Sequence, residues 1–176
     1  MTCSSSISER YEILRKELDK KGIDIDEVRK KIEKFEVEVP SWAFGPFGGG
    51  RFSGYVPPGA ARNIFEKLDD AALVNRLTGA TPRVSIHVGW DDPDEAPFDE
   101  IQAESFKKVR DYANKLGISI GAVSPTYFLE GTEFGSLSSS SPETRRRLIE
   151  HTLISAEIAA KYATGLLTLW FPDGSL

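Results

Sequence analysis

Near the start of the chain Ile7, Tyr11, Leu14 and Leu18 share one helical face across residues 6–20, and Gly22 stops the run. Asp24 or Asp26 can cap a second helix to about residue 34, with Ile25, Val28, Ile32 and Phe35 on its buried face. A first strand is expected over residues 35–44. After a loop rich in glycine, proline and aromatic residues, residues 62–78 read as a helix closed by Gly79, with Ile64, Leu68, Ala71, Ala72 and Leu77 as its apolar positions. The period then changes to two. Val84, Ile86 and Val88 alternate with Arg83, Ser85 and His87, a strand rich in β-branched residues that Gly89 ends. A helix over residues 98–116 and a third strand over residues 118–123 come next. Ser141 then caps a helix with Pro142 at its first position, running to about residue 163, and residues 166–170 form a fourth strand.

The order is helix, helix, then β-α-β-α-β-α-β, with strands spaced as parallel crossover units require. This is an α/β pattern. Four such units make half of an eight-stranded (β/α) barrel, and the alternative is an unusually small open sheet. A fourth parallel strand needs cover on both faces, yet no helix follows it. The expected organisation is an N-terminal helical extension, residues 1–34, and an α/β body, residues 35–176.

Charge and composition narrow the partners. A net charge of −5 disfavours nucleic acid or an anionic membrane. The single cysteine, Cys3, rules out an internal disulfide and suits a reducing cytoplasm. The opening residues carry neither a basic nor an apolar region, so they do not read as a signal peptide. The most apolar run, residues 153–170, is interrupted by Glu157 and Lys161 and is too short and polar to span a bilayer.

The chemistry gathers at predicted strand ends, where parallel α/β folds bind ligands. His87 is the leading candidate, because an imidazole there can donate or accept a proton near neutral pH. Asp91 can orient it, but Asp91 sits among Asp92, Asp94 and Glu95, which together read as a solvated acidic face. His151 lies mid-helix and reads as structural. Trp42 and Trp170 end two strands, Trp90 follows a third, and Phe52 and Phe128 lie in loops at the same rim. Such rings can plug a barrel top, or wall a pocket that stacks on the C–H faces of a sugar. Gly48-Gly49-Gly50 is followed by Arg51-Phe52 instead of the Lys-Ser/Thr of a phosphate loop, and reads as loop flexibility. No metal-ligand signature is complete, so no metal-binding residue is assigned.

Four stretches taken together resemble the L-rhamnose isomerase family of xylose-isomerase-like TIM barrels. They are Val39-Pro40-Ser41-Trp42-Ala43-Phe44-Gly45, Glu66-Lys67-Leu68-Asp69-Asp70-Ala71-Ala72, the His87-to-Asp91 segment, and Leu169-Trp170-Phe171-Pro172-Asp173-Gly174. The chain departs from the family pattern in the loop over residues 45–55 and at Gly89, where a proline is expected. The resemblance implies aldose–ketose isomerisation of free sugars such as L-rhamnose with divalent cations, typically Mn2+, and assembly as a homo-tetramer. His87 would assist ring opening, while Trp42, Phe52, Trp90, Phe128 and Trp170 would wall the substrate pocket. It further implies a half-barrel truncated after strand 4. The metal ligands would then lie outside the chain, and the fragment alone would be inactive. A ketose 3-epimerase of the same superfamily and a non-catalytic sugar-binding half-barrel remain alternatives on sequence grounds.

Overall fold

The computed structural model describes residues 6–45 and 57–173. These fall into two compact units, one ending at Glu36 and the other beginning at Val37.

The first unit is a pair of helices, α1 (Ile7–Asp19) and α2 (Ile25–Glu33). Ser6 caps α1 by accepting from the Glu9 N–H at 3.3 Å, and Asp24 caps α2 by accepting from Asp26 and Glu27. An Arg15–Asp26 ion pair and an Arg29 to Tyr11 hydroxyl bond at 3.0 Å join the two helices. The predicted buried face is absent: neither helix buries a residue, and Ile32 and Phe35 are largely exposed. Two helices of 13 and 9 residues have too little surface between them to enclose a core.

The second unit carries a parallel sheet in the order β1-β2-β3: β1 (Val39–Pro40), β2 (Arg83–Val88) and β3 (Ser119–Pro125). Helices α3 (Ile64–Thr78), α4 (Phe106–Lys115) and α5 (Pro142–Tyr162) alternate with the strands. Val84, Ile86 and Val88 are fully buried in one cluster with Leu68 of α3, Phe106 and Val109 of α4 and Ile158 of α5. The period of two leaves Ser85 and His87 on the other face of the sheet. Asn63 caps α3 by accepting from the Glu66 N–H, the Glu66 carboxylate accepts in turn from the Arg62 N–H, and Gly79 closes that helix at φ +64°. Leu77, an apolar candidate of α3, is exposed. Ser141 caps α5 with Pro142 at its first position, as the sequence indicates.

Three elements differ from expectation. The first strand shrinks to two residues, because Pro40 has no N–H to give a ladder and Ser41–Ala43 turns into a 3₁₀ helix. The helix expected over residues 98–116 starts only at Phe106. Phe98 and Ile101 reach the interior from a turn, so their apolar spacing imitates a helical face. The fourth strand is a single bridge, Val123 with Leu167, where Val123 exchanges 2.9 Å bonds with Leu166 and Thr168. Side chains fasten the rest of that segment: Thr164 donates to the Gly121 carbonyl and Phe171 lies on Tyr127. Among the described residues the sheet therefore has three strands, and no helix is long and apolar enough to cross a membrane.

Candidate functional site

The face of the sheet turned away from the helices lines a cavity of about 440 Å³. Trp42, His87, Trp90, Phe128 and Trp170 surround it, with Glu38, Ser85, Ser124 and Thr168 as polar lining. Five of the six residues singled out in the sequence thus meet at one place. The sixth, Phe52, lies outside the described residues.

Four of the rings form a continuous wall. His87 stacks on Trp90 at 5.0 Å and 26°, Trp90 meets Phe128 edge-on at 4.6 Å, and Phe128 meets Trp170 edge-on at 5.4 Å. Such contacts fix ring orientation and contribute about 0.5–1.5 kcal/mol each beyond area burial. The stack exists because the chain reverses directly after β2. Gly89 takes φ +98°, and the Trp90 and Asp91 N–H groups both donate to the His87 carbonyl, at 3.2 and 2.8 Å. The proline expected at Gly89 is incompatible with that φ, so the turn needs glycine here.

Burial lowers the pKa of His87, the Asp91 charge raises it, and the Lys67 charge lowers it again, with a net downward shift. The imidazole is therefore neutral at pH 7, the form that can take up a proton. Its Nδ1 and the indole Nε1 of Trp90 are both buried without a hydrogen-bond partner.

Asp91 is fully buried and Asp92 is buried beside it, which corrects the reading of these two as part of a solvated acidic face, while Asp94 and Glu95 are exposed as that reading expects. Lys67 donates to it at 2.7 Å and is itself buried. Asp91 does not hold the imidazole; it accepts the backbone N–H of His87 at 2.7 Å and the Ser41 hydroxyl. Sequence reasoning missed Lys67 and Ser41. The signal was there, since Lys67 shares the apolar stripe of α3 with Ile64, Leu68 and Ala71, and a lysine among buried positions calls for a buried partner.

His151 is structural, as its position mid-helix suggests. Its Nε2 accepts from the Thr126 N–H at 3.1 Å, and Phe98 packs edge-on at 5.6 Å. Burial pushes its pKa down to about 4 against the opposing Val88 and Phe98 carbonyls. Glu38 was also missed: its carboxylate crosses to the Ala122 N–H at 2.8 Å, over Gly121. A Cβ on Gly121 would stand 1.7 Å from that carboxylate, so a glycine inside an apolar strand was the available clue.

Among the described residues no group of three or more His, Cys, Asp or Glu side chains could hold a metal ion. The cavity offers one imidazole and the Glu38 carboxylate, and the latter already serves Ala122. These residues do not fit a divalent-cation site by themselves.

Residues 5–176 match the L-rhamnose isomerase (RhaA) family. A probable sugar isomerase of Rhizobium meliloti (strain 1021) is 38% identical over 97% of this chain, which covers 38% of that protein. A probable sugar isomerase of Mesorhizobium japonicum is 37% identical over 94% of the chain and 37% of its own length. An L-rhamnose isomerase of Salmonella newport is 25% identical over 97% of the chain and 45% of its own length. The chain thus spans less than half the length of these curated relatives.

Proposed function

The chain belongs to the L-rhamnose isomerase family, and on that premise we propose that it forms the sugar-facing wall of an aldose–ketose isomerase acting on L-rhamnose and related sugars. The observation that carries the proposal is the wall of four rings in successive contact, ending on a neutral, strand-end imidazole. Trp90, Phe128 and Trp170 offer apolar faces for the C–H surfaces of the sugar ring, excluding water from them. His87 moves the proton that ring opening requires, and general acid–base help of this kind contributes about 10²–10⁴-fold in rate. We further propose that the barrel expected of the family continues beyond this chain, and that Mn2+ is held there by residues this chain does not contain. A cytoplasmic tetramer completes the proposal.

The test joins residues 1–176 to the part of the Rhizobium meliloti relative that lies beyond its matched region. Conversion of L-rhamnose to the ketose is then followed with and without His87→Ala. Manganese-dependent turnover that falls about 10²–10⁴-fold in the variant is expected. Equal turnover by both proteins, or none from a chimera that folds and binds manganese, would overturn the proposal.

A further inference from the structure

Asp91 joins three segments that the cavity needs in fixed relation. One oxygen, Oδ1, accepts from Lys67 Nζ on α3 at 2.7 Å. The other, Oδ2, accepts the His87 N–H of β2 at 2.7 Å and the hydroxyl of Ser41. Two of these contacts and Asp91 itself lie next to or at a wall residue: Ser41 precedes Trp42, His87 carries the imidazole on the bonded backbone, and Trp90 precedes Asp91.

The fold explains why a side chain is needed there. β1 ends at Pro40, opposite Ser85, and Ser41 turns away into the 3₁₀ helix. No further β1 residue is paired at His87. The Asp91 carboxylate stands where a third strand residue would have supplied an acceptor, and it satisfies a donor that would be costly to bury unpaired. An apolar side chain could fill the same volume, but it could not accept from three donors in different directions. A buried ion pair adds no dependable stability over an apolar pair of similar size. Orientation is what this pair supplies.

We propose that Asp91 is a positioning residue of the cavity. Held by Lys67, it ties the Ser41 hydroxyl to the His87 backbone and so fixes Trp42, and the stack of His87 on Trp90, in one arrangement. Its relevance to sugar chemistry rests on the function proposed above, but the arrangement itself is measurable without any sugar.

The chain has two histidines, which makes proton NMR decisive. The His87 ring proton resonance is displaced by the ring current of Trp90, and His151, packed edge-on against Phe98, reports whether the fold is intact. In Asp91→Ala the His87 resonance should move to the position of an unstructured histidine while His151 stays. In the double variant Asp91→Asn, Lys67→Gln, the Asn oxygen can still accept from Ser41 and His87, and its amide can donate to Gln. There both resonances should return to their wild-type positions. An unmoved His87 signal in Asp91→Ala overturns the proposal. So does a displaced His87 signal in the double variant with His151 in place, and that result decides the matter even where Asp91→Ala does not fold. Failure of the wild-type chain to bind L-rhamnose would count against the proposed function and leave the Asp91 clamp standing.

Discussion

The two ends of the ring wall are fastened by aspartates in opposite ways. At the inner end Asp91 is fully buried and balanced by a buried lysine. At the outer end Asp173 lies near the surface and, among the described residues, holds the segment of Trp170 with no lysine or arginine. It accepts from the Ser136 N–H at 2.8 Å, the Ser136 hydroxyl at 2.7 Å and the Ser138 N–H at 2.8 Å. Burial raises the Asp173 pKa, but the Ser136 and Ser138 bonds outweigh it and bring the pKa down to about 2. A carboxylate can thus be stabilised by one full opposite charge or by several oriented dipoles. The first solution is brittle, because losing either partner strands the other in the interior. The second degrades gradually, since water can reach the group.

That contrast sets the largest expected effect. Lys67→Met leaves Asp91 buried and uncompensated and should cost about 3–5 kcal/mol in urea unfolding. A loss below 1 kcal/mol would mean that water already reaches Asp91 and that the two ends are alike.

Acid should separate the ends next. His151 sits beneath the inner end, bonded to Thr126, and takes up a proton in the folded chain only near pH 4, against 6.5 when unfolded. The unfolded state therefore binds more protons over that interval, and stability falls as pH drops from 6.5 towards 4. The shift corresponds to about 3 kcal/mol in total. Asp173 works in a lower window. Its contribution is whole above about pH 4 and is lost as pH falls towards 2. Urea midpoints measured across pH for wild type and His151→Gln check this, and the variant should lose most of the slope above pH 4.

The smallest effect belongs to the outer end. Asp173→Asn keeps one acceptor and removes the charge, and should cost about 1–2 kcal/mol. It should also shift tryptophan emission to the red as Trp170 loosens, while the His87 resonance stays in place. Movement of His87 in this variant would show that the two ends are coupled.

The contrast also shows what could be read in advance. β2 was legible because three β-branched residues alternate with polar ones and both faces of the strand are used. The convergence of Trp42, His87, Trp90, Phe128 and Trp170 followed from placing strand ends on one rim. The Asp91 network was not legible, because the four acidic residues Asp91, Asp92, Asp94 and Glu95 look alike in sequence and only the turn after β2 decides that Asp91 and Asp92 are buried while the other two are exposed. Residues 166–170 have a strand's composition but make one bridge, since a ladder depends on a neighbour and not on propensity. Phe98 and Ile101 misled for a related reason: burial from a turn leaves the same apolar spacing as a helix.

The most direct measurement of the central claim is an L-rhamnose titration of residues 1–176, followed by the ring-proton resonances of the two histidines. If the ring wall receives the sugar, the His87 resonance moves saturably with concentration while that of His151 remains fixed, and the movement is lost in Trp90→Ala. A His87 resonance that ignores the sugar, or one that drifts together with His151, would contradict it.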